Sequence, residues 1–560
     1  MKMKHLYIGL TAVSMLSVGC QDQFENIKPS GTALSLEQVQ NGAKLSAERA
    51  EAGIPGLFNQ LNAREGIYAI QGDFGYPSFA CRLEHLGDNV VTTTQGYNWF
   101  HSELKHEQNN LKGAIATVWA WNASYKNIKL ANDIILVNRD LREDATARPV
   151  LGTAKAMRAW DYFLLAQLFG KTYKGNEQAL TVPIIKEDTD PKVLEDNPRL
   201  TNEEIYKFIL ADLDDAVELM KGYTPSAKNF LSEAVVYGIR SRVHMVMNNW
   251  KQAAADAKKA IDLFAEKGGA PYSIADCSIP NFDDVQTSKN AMWGVIIGTE
   301  DPVTKSGIAN YTSMFTSLCF GSGGYTTMVD TWKRLNRRVW DQIPTTDVRR
   351  DWFVHEKAMY GYTSPILKKA YGDQMTMESA KKNNITDVAF LSYKMADYPL
   401  TVVKFAPTNK SLTEAENSVD FMLMRVEEMY YNYAEATAMG GDIAGGAKIL
   451  TDFVKTYRNP GFNKTFADAK ALQDEIYFQK RVEFFGEGIS WFDMLRMKKG
   501  LDRVDVAKKD DGGYPELTRF NIPAGAINFT WQLPESEEQA NKAVTKNNNP
   551  AITGTPKDMF

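Results

Sequence analysis

Cysteine is scarce in this chain. The four residues, Cys20, Cys81, Cys277 and Cys319, carry no CxxC pair and no Cys/His spacing suited to zinc. That excludes a disulfide framework: at most one disulfide can form among the last three, and reduced core cysteines are the expected reading there. Charge of one sign is also lacking. Lysine and arginine number 64 against 69 acidic residues, a net of −5, so there is no basic surface for nucleic acid and no polybasic membrane patch. No apolar run after Cys20 approaches the roughly 20 residues a membrane helix needs. HExxH, GxSxG and Walker sequences are absent, the histidines are scattered, and His101 and His106 stand five apart, wrong for one helical face. No cofactor and no metal site is expected. Asp283-Asp284 and the Gly-Asp pairs leave calcium open, without an EF-hand-like loop.

The first twenty residues are the most informative. Lys2 and Lys4 precede an apolar stretch from Leu6 to Val18, then Gly19 and Cys20. This is a secretory signal, too short to span a bilayer. A cysteine at the cut site after a small residue points to a bacterial lipoprotein, with residues 1–19 removed and Cys20 the lipid attachment point. Leu16 lies four residues before the cysteine, where the usual lipobox has it at three. An ordinary cleaved signal with an incidental cysteine, or an uncleaved anchor, is the alternative. Residues 20–40 are polar, with Pro29, Ser30 and Gly31, and read as a tether. The domain proper is then 41–560.

Helical periodicity marks most of that domain. It is expected around 41–63, over 113–137 (Val118, Trp121, Tyr125, Ile128 and Asn132 on one face) and over 150–169, stopping at Gly170. Thr201 and Glu204 form a capping box for the next helix. Residues 231–264 read as a close-packed pair, its second helix bearing Trp250, Ala254, Ala257 and Ile261 on one face, as in a tetratricopeptide hairpin. A further pair is expected at 421–440 and 443–457, and a last helix over 472–499.

Two stretches break the pattern. Residues 71–101 mix Gly, Pro, Asp and Thr with aromatics and read as loop with short strands. Residues 270–410 are irregular, with a buried strand at 292–298 and a Gly/Ser/Thr-rich aromatic segment at 307–326. Long irregular inserts on a helical scaffold are functional more often than not when they hold this many aromatics. Tyr97 and Trp99, with Asp73, Asp88 and Asn98 nearby, and Tyr311, Phe320 and Tyr325 are therefore the candidate ligand-stacking residues. Each could instead be insert core. Trp293, in an apolar strand, and Trp332, at an expected helix start, read as core.

The segment KRVEFFGEGISWFDMLRMKKG, 480–500, places Arg481, Phe484/Phe485, Gly488, Trp491 and Leu495 on one face if it is helical throughout. Gly486 and Gly488 would let another helix come close, and Asp493 and Arg496 can pair. Glu483 and Glu487, one turn apart, could suggest a retaining glycosidase. With core aromatics around them and Arg481 placed to pair with one, packing and ion pairing is the better reading.

This segment resembles the C-terminal signature of the SusD/RagB family of outer-membrane nutrient-binding lipoproteins, through Arg481, Glu483, Phe485, Glu487, Gly488, Trp491, Phe492, Asp493 and Arg496. The resemblance continues in AKAMRAWDYFLLAQLFG at 154–170 with Val182-Pro183, in Trp121, Tyr125 and Ala131-Asn132, in MRVEEMYYNYAEA at 424–436, in Asp347 and Arg349, and in RFNIPAGAI at 519–527. It departs at TDFVKTYRNP, with Asp452 where Asn is usual, and at KNNNP in place of Gln-Asn. The resemblance implies a mainly α fold of four tetratricopeptide-like helical pairs supporting a variable face. It implies a lipoprotein of a Bacteroidetes-type outer membrane, lying over a SusC-like TonB-dependent transporter. It also implies delivery of oligosaccharides, or in RagB-like cases peptides, without catalysis, and ligand aromatics drawn from the two insert regions. A tetratricopeptide assembly scaffold without small ligand is the alternative from a different class.

Overall fold

The computed structural model describes residues 53–62, 72–92, 99–107, 111–278, 280–305, 311, 314–315, 332–355, 366, 399–405, 418–552 and 556. Helix α1 (Tyr76–Leu86) precedes a scaffold of α2 (Ile115–Asn138), α3 (Ala147–Phe169), α4 (Asn202–Leu219), α5 (Glu233–Met247) and α6 (Trp250–Glu266). After the long insert the scaffold resumes with α7 (Val426–Met439), α8 (Ile443–Tyr457), α9 (Ala469–Glu483) and α10 (Ser490–Arg496). From α2 to α8 each helix packs on the next in chain order. That includes α6 on α7, which the insert separates in sequence; α9 then closes on α7.

Local chemistry explains the joints. Thr201 caps α4 with Glu204 returning the bond: the Glu204 amide donates to the Thr201 hydroxyl and the Thr201 amide to the Glu204 carboxylate. Between α5 and α6 the chain reverses through Asn248, at φ +60°, the left-handed conformation that Asn tolerates. Ala253, Ala257 and Ala260 are fully buried, and small side chains there bring α6 so near that the Ser241 hydroxyl of α5 donates to the Ala253 carbonyl (3.0 Å). The expected close-packed pair is present.

Six short strands lie in or beside the inserts: β1 (Val90–Val91), β2 (Ala291–Val295), β3 (Arg334–Leu335), β4 (Phe353–Val354), β5 (Thr401–Val402) and β6 (Phe421–Arg425). Four form an antiparallel sheet in the order β1-β3-β5-β4, and β2 pairs with β6. One hydrophobic core runs from α1 through α2–α5 to these strands, and it contains Trp293 and Trp332 at 0 % exposure, as expected of both. Cys81 and Cys277 are free and buried.

Four expectations need correction. Residues 76–86 are helix, not loop, because α1 is buried all round from Pro77 to Leu86 and so shows no amphipathic period. Residues 421–425 are strand, the partner of β2, not the start of a helix. Trp332 leads into β3, not into a helix. The last helix is two, α9 and α10, broken where Gly486 and Gly488 take φ +87° and +76°. Of the helix expected over 41–63, the described part is a short one at Ile54–Asn59. Cys20, the tether and Cys319 lie outside the described residues.

Candidate functional site

The signature segment builds a buried charge centre. Glu483 accepts from Arg458 Nε (2.6 Å) and Nη2 (2.9 Å), from Arg425 Nη1 (2.9 Å) and from Arg349 Nη1 (3.3 Å). Glu487 accepts from Arg425 Nε (2.9 Å) and Nη2 (2.8 Å) and from Lys404 Nζ (2.5 Å). Burial alone would raise the Glu483 carboxyl, but Arg458 and Arg425 hold it well below the usual carboxylate range. Burial pushes Lys404 down to about 8 against the pull of Glu487. Every carboxylate oxygen here is engaged by a cation, and neither glutamate faces solvent. Arg481, expected to pair with one of them, instead binds Asp88 (3.0 Å) and Asn89 (2.5 Å): Glu483, two residues on along the same helix, points from a different face, and Glu487 lies beyond the turn at Gly486. Asp493 and Arg496 do pair (2.7 Å). The centre locks α9 and α10 to β5, β6 and α8. It has the character of a structural clamp, not of a hydrolytic pair.

Gly488 brings α10 against α1: a Cβ there would stand 2.8 Å from Ala80 Cβ. The Gly488 amide donates to Glu84 Oε1 (2.8 Å), and burial pushes that carboxyl up to about 7. The small sheet is thereby fixed on the scaffold, since β1 follows α1 directly.

The sheet's register decides where the inserts emerge. Val91 pairs with Arg334 and Val90 with Leu335, antiparallel. Continuing that register sets Thr92, where the chain leaves β1, beside Lys333, where it enters β3. The flanks of 93–98 and of 316–331 thus lie on neighbouring strands at the same end of the sheet. Tyr97, Phe320 and Tyr325 belong to those two segments and lie outside the described residues, as does Asn98.

Trp99 is described and half-buried, on the chain returning from the first segment. Its indole lies over Gly72, with Cε3 3.5 Å from where a Cβ of residue 72 would be. The next residue, Phe100, sits at φ +62°, a conformation that side chains other than Gly rarely adopt and that costs of order 1–3 kcal/mol. It is held by the Arg82 guanidinium, 5.1 Å from its ring centre, and by His85 at 5.3 Å. Arg82 in turn pairs with Glu103 and donates to the Gly72 carbonyl (3.1 Å). Phe100 is thus a strained backbone position directly after Trp99, where the chain returns from the first insert. Sequence reasoning missed Gly72, Arg82 and Phe100, since no periodicity links them.

Tyr311 is corrected to core. It is 2 % exposed, stacks on Phe315 (5.3 Å) and meets Phe405 and Phe421 edge-on. Its hydroxyl donates to the Gly486 carbonyl (2.6 Å), so it supports the glycine turn and offers no face to a ligand. The four-residue spacing of Tyr311 and Phe315 was the available sign. Asp88 is committed to Arg481 and Asp73 is buried, so neither is the exposed hydroxyl-binding group expected of it. Among the described residues no group of three or more His, Cys, Asp or Glu could hold a metal.

Comparison with known proteins gives two family matches in chain order. Residues 71–245 match a family described as starch-binding and associating with the outer membrane, and residues 319–550 match the SusD family. A SusD-like protein of Bacteroides ovatus is 20% identical over 548 residues, 93% of this chain and 90% of that protein. A SusD-like carbohydrate-binding protein of Bacteroides vulgatus superposes with TM-score 0.67 at 21% identity, covering 91% of this chain and all (100%) of that one. Surface glycan-binding protein A of Bacteroides thetaiotaomicron, solved with laminarihexaose, superposes with TM-score 0.59 at 15% identity, covering 90% and 99%.

Proposed function

This chain belongs to the SusD/RagB family, and we propose that it is a cell-surface lipoprotein that captures a glycan and passes it to a SusC-like TonB-dependent transporter. The observation that carries the binding half is the convergence of the two insert flanks, Thr92 and Lys333, on neighbouring strands. Stacking needs flat aromatic faces set against the apolar C–H side of a sugar ring. Tyr97 and Trp99 come from one insert, Phe320 and Tyr325 from the other, and their segments leave the sheet at one end. Relatives that bind carbohydrate share the fold and support the ligand class. The buried, fully paired state of Glu483 and Glu487 supports binding without turnover.

The membrane half rests on the first twenty residues. No described helix is long and apolar enough to cross a membrane, and the lipid on Cys20 would supply the attachment. The test of function is a screen of purified polysaccharides by retardation in native gels. Retention by at least one glycan is expected. A chain that retains no glycan, but holds peptides or only a stable protein partner, would replace this reading with peptide capture or with an assembly scaffold.

A further inference from the structure

A second site lies on the scaffold, away from the inserts. A pocket of about 270 Å³ opens between the C-terminal end of α3, the C-terminal end of α10 and the turn at 524–526. Its lining includes Lys171, Lys498 and Lys499, together with Thr172, Asn176 and Thr530, and it contains no carboxylate. Lys499 pairs with Asp474 (2.8 Å), which does not line the pocket, and Lys171 and Lys498 pair with no carboxylate among the described residues.

Lysines just beyond helix C-termini often serve the last carbonyls. Here four of those carbonyls are already served, and no lysine ammonium among the pocket's three donates to any of them. The Leu168 carbonyl accepts from the Trp531 amide (2.9 Å) and that of Phe169 from Asn549 Nδ2 (2.7 Å). On α10, the Met494 carbonyl accepts from the Lys499 amide (2.9 Å) and that of Leu495 from the Thr172 hydroxyl (3.3 Å) and the Lys498 amide (3.0 Å). The ammonium groups are not used as caps. Lys498 also stands at φ +51°, the helix-ending left-handed position that Gly or Asn ordinarily fills. Lys171 and Lys498 are both exposed, so their ammonium groups are open to solvent and to a ligand at the pocket, and Lys498 holds its place at a conformational cost.

We propose that this pocket binds the anionic group of a charged sugar, a uronate carboxylate or a sulfate ester, through Lys171 and Lys498, with Thr172 and Asn176 beside the ring. The sugar part rests on the glycan reading; the charge does not. Calorimetry on the lipid-free mature chain compares glucuronate, glucose 6-sulfate, glucose and inorganic sulfate. At least one charged sugar is expected to bind about tenfold or more tighter than glucose, the scale of one charge-assisted hydrogen bond. Lys498→Gly should hold or raise the melting temperature, since glycine suits the backbone there, yet weaken the charged sugar about tenfold. Lys171→Gln should weaken it without unfolding the chain. Equal binding of glucose and the charged sugars, binding of inorganic sulfate alone, or wild-type affinity in Lys498→Gly would each overturn the proposal. Polysaccharide retention measured on the same samples separates the two readings. Its absence with the charged sugar still bound counts against glycan capture at the inserts and not against this pocket.

Discussion

At the scale of the residue, the buried ionisable groups divide by whether a counter-charge meets them. Glu483 is met by Arg349, Arg425 and Arg458, and removing its charge would take one carboxylate from three buried cations, leaving them to share Asp347, Glu427 and Glu487. Glu483→Gln should cost on the order of 3–5 kcal/mol of stability, read by denaturant unfolding, with no glycoside hydrolysis to lose. Hydrolysis by the wild type that this change abolishes would reverse the reading of the clamp. Glu84 is different: burial raises it from 4.5 to about 7, and only the amides of Gly488 and Gly486 and the distant Lys404 oppose the shift. A raised carboxyl keeps its proton in the folded chain where the unfolded chain has released it. Its contribution is therefore present below about pH 4.5 and lost as pH rises to about 7. Glu84→Gln keeps an acceptor for the Gly488 amide and removes the titration. The fall in melting temperature between those pH values should be smaller in the variant than in the wild type, and identical profiles would show that Glu84 does not titrate there.

At the scale of the element, the decisive joint is the glycine turn between α9 and α10. Gly488 has both a left-handed backbone and Ala80 at 2.8 Å from any Cβ. Gly488→Ala should therefore destabilise by several kcal/mol, through strain of about 1–3 kcal/mol plus displacement of α1. Gly56, in the short helix at Ile54–Asn59, meets nothing within 4 Å, and Gly56→Ala should be neutral or slightly stabilising by thermal unfolding. This joint also marks the limit of what the sequence reveals. Helices with one wet face, such as α4 and α6, declare themselves by period and caps. Helix α1 has no wet face, and the FMLMR run of β6 is buried throughout, four apolar residues and then Arg425, so neither has a period to read. Gly486 and Gly488 were legible as contact points but not as a turn, because close approach and positive φ leave the same residue in the sequence. At the site, Trp99 was legible as a loop aromatic. Tyr311 was misplaced because its Gly/Ser/Thr neighbours mask the spacing to Phe315.

At the scale of the whole molecule, the scaffold carries the small sheet, with the flanks of both inserts at one end of it, and the proposed lipid on Cys20 would tie the body to a membrane. Cys20→Ala should move the protein from the membrane fraction to the soluble fraction, since each buried CH₂ of an attached lipid is worth ~0.8 kcal/mol. Unchanged fractionation would mean another anchor. The central claim, that the paired inserts hold the glycan, is tested most directly by calorimetry of a retained polysaccharide against Tyr97→Ala, Trp99→Ala, Phe320→Ala and Tyr325→Ala, with Tyr311→Ala as the core control. At least two of the four should lose about 2 kcal/mol of affinity with little change in melting temperature. Tyr311→Ala should lose about 3–5 kcal/mol of stability while its folded fraction binds normally. Wild-type affinity in all four insert variants would place the glycan elsewhere on the molecule and contradict the account.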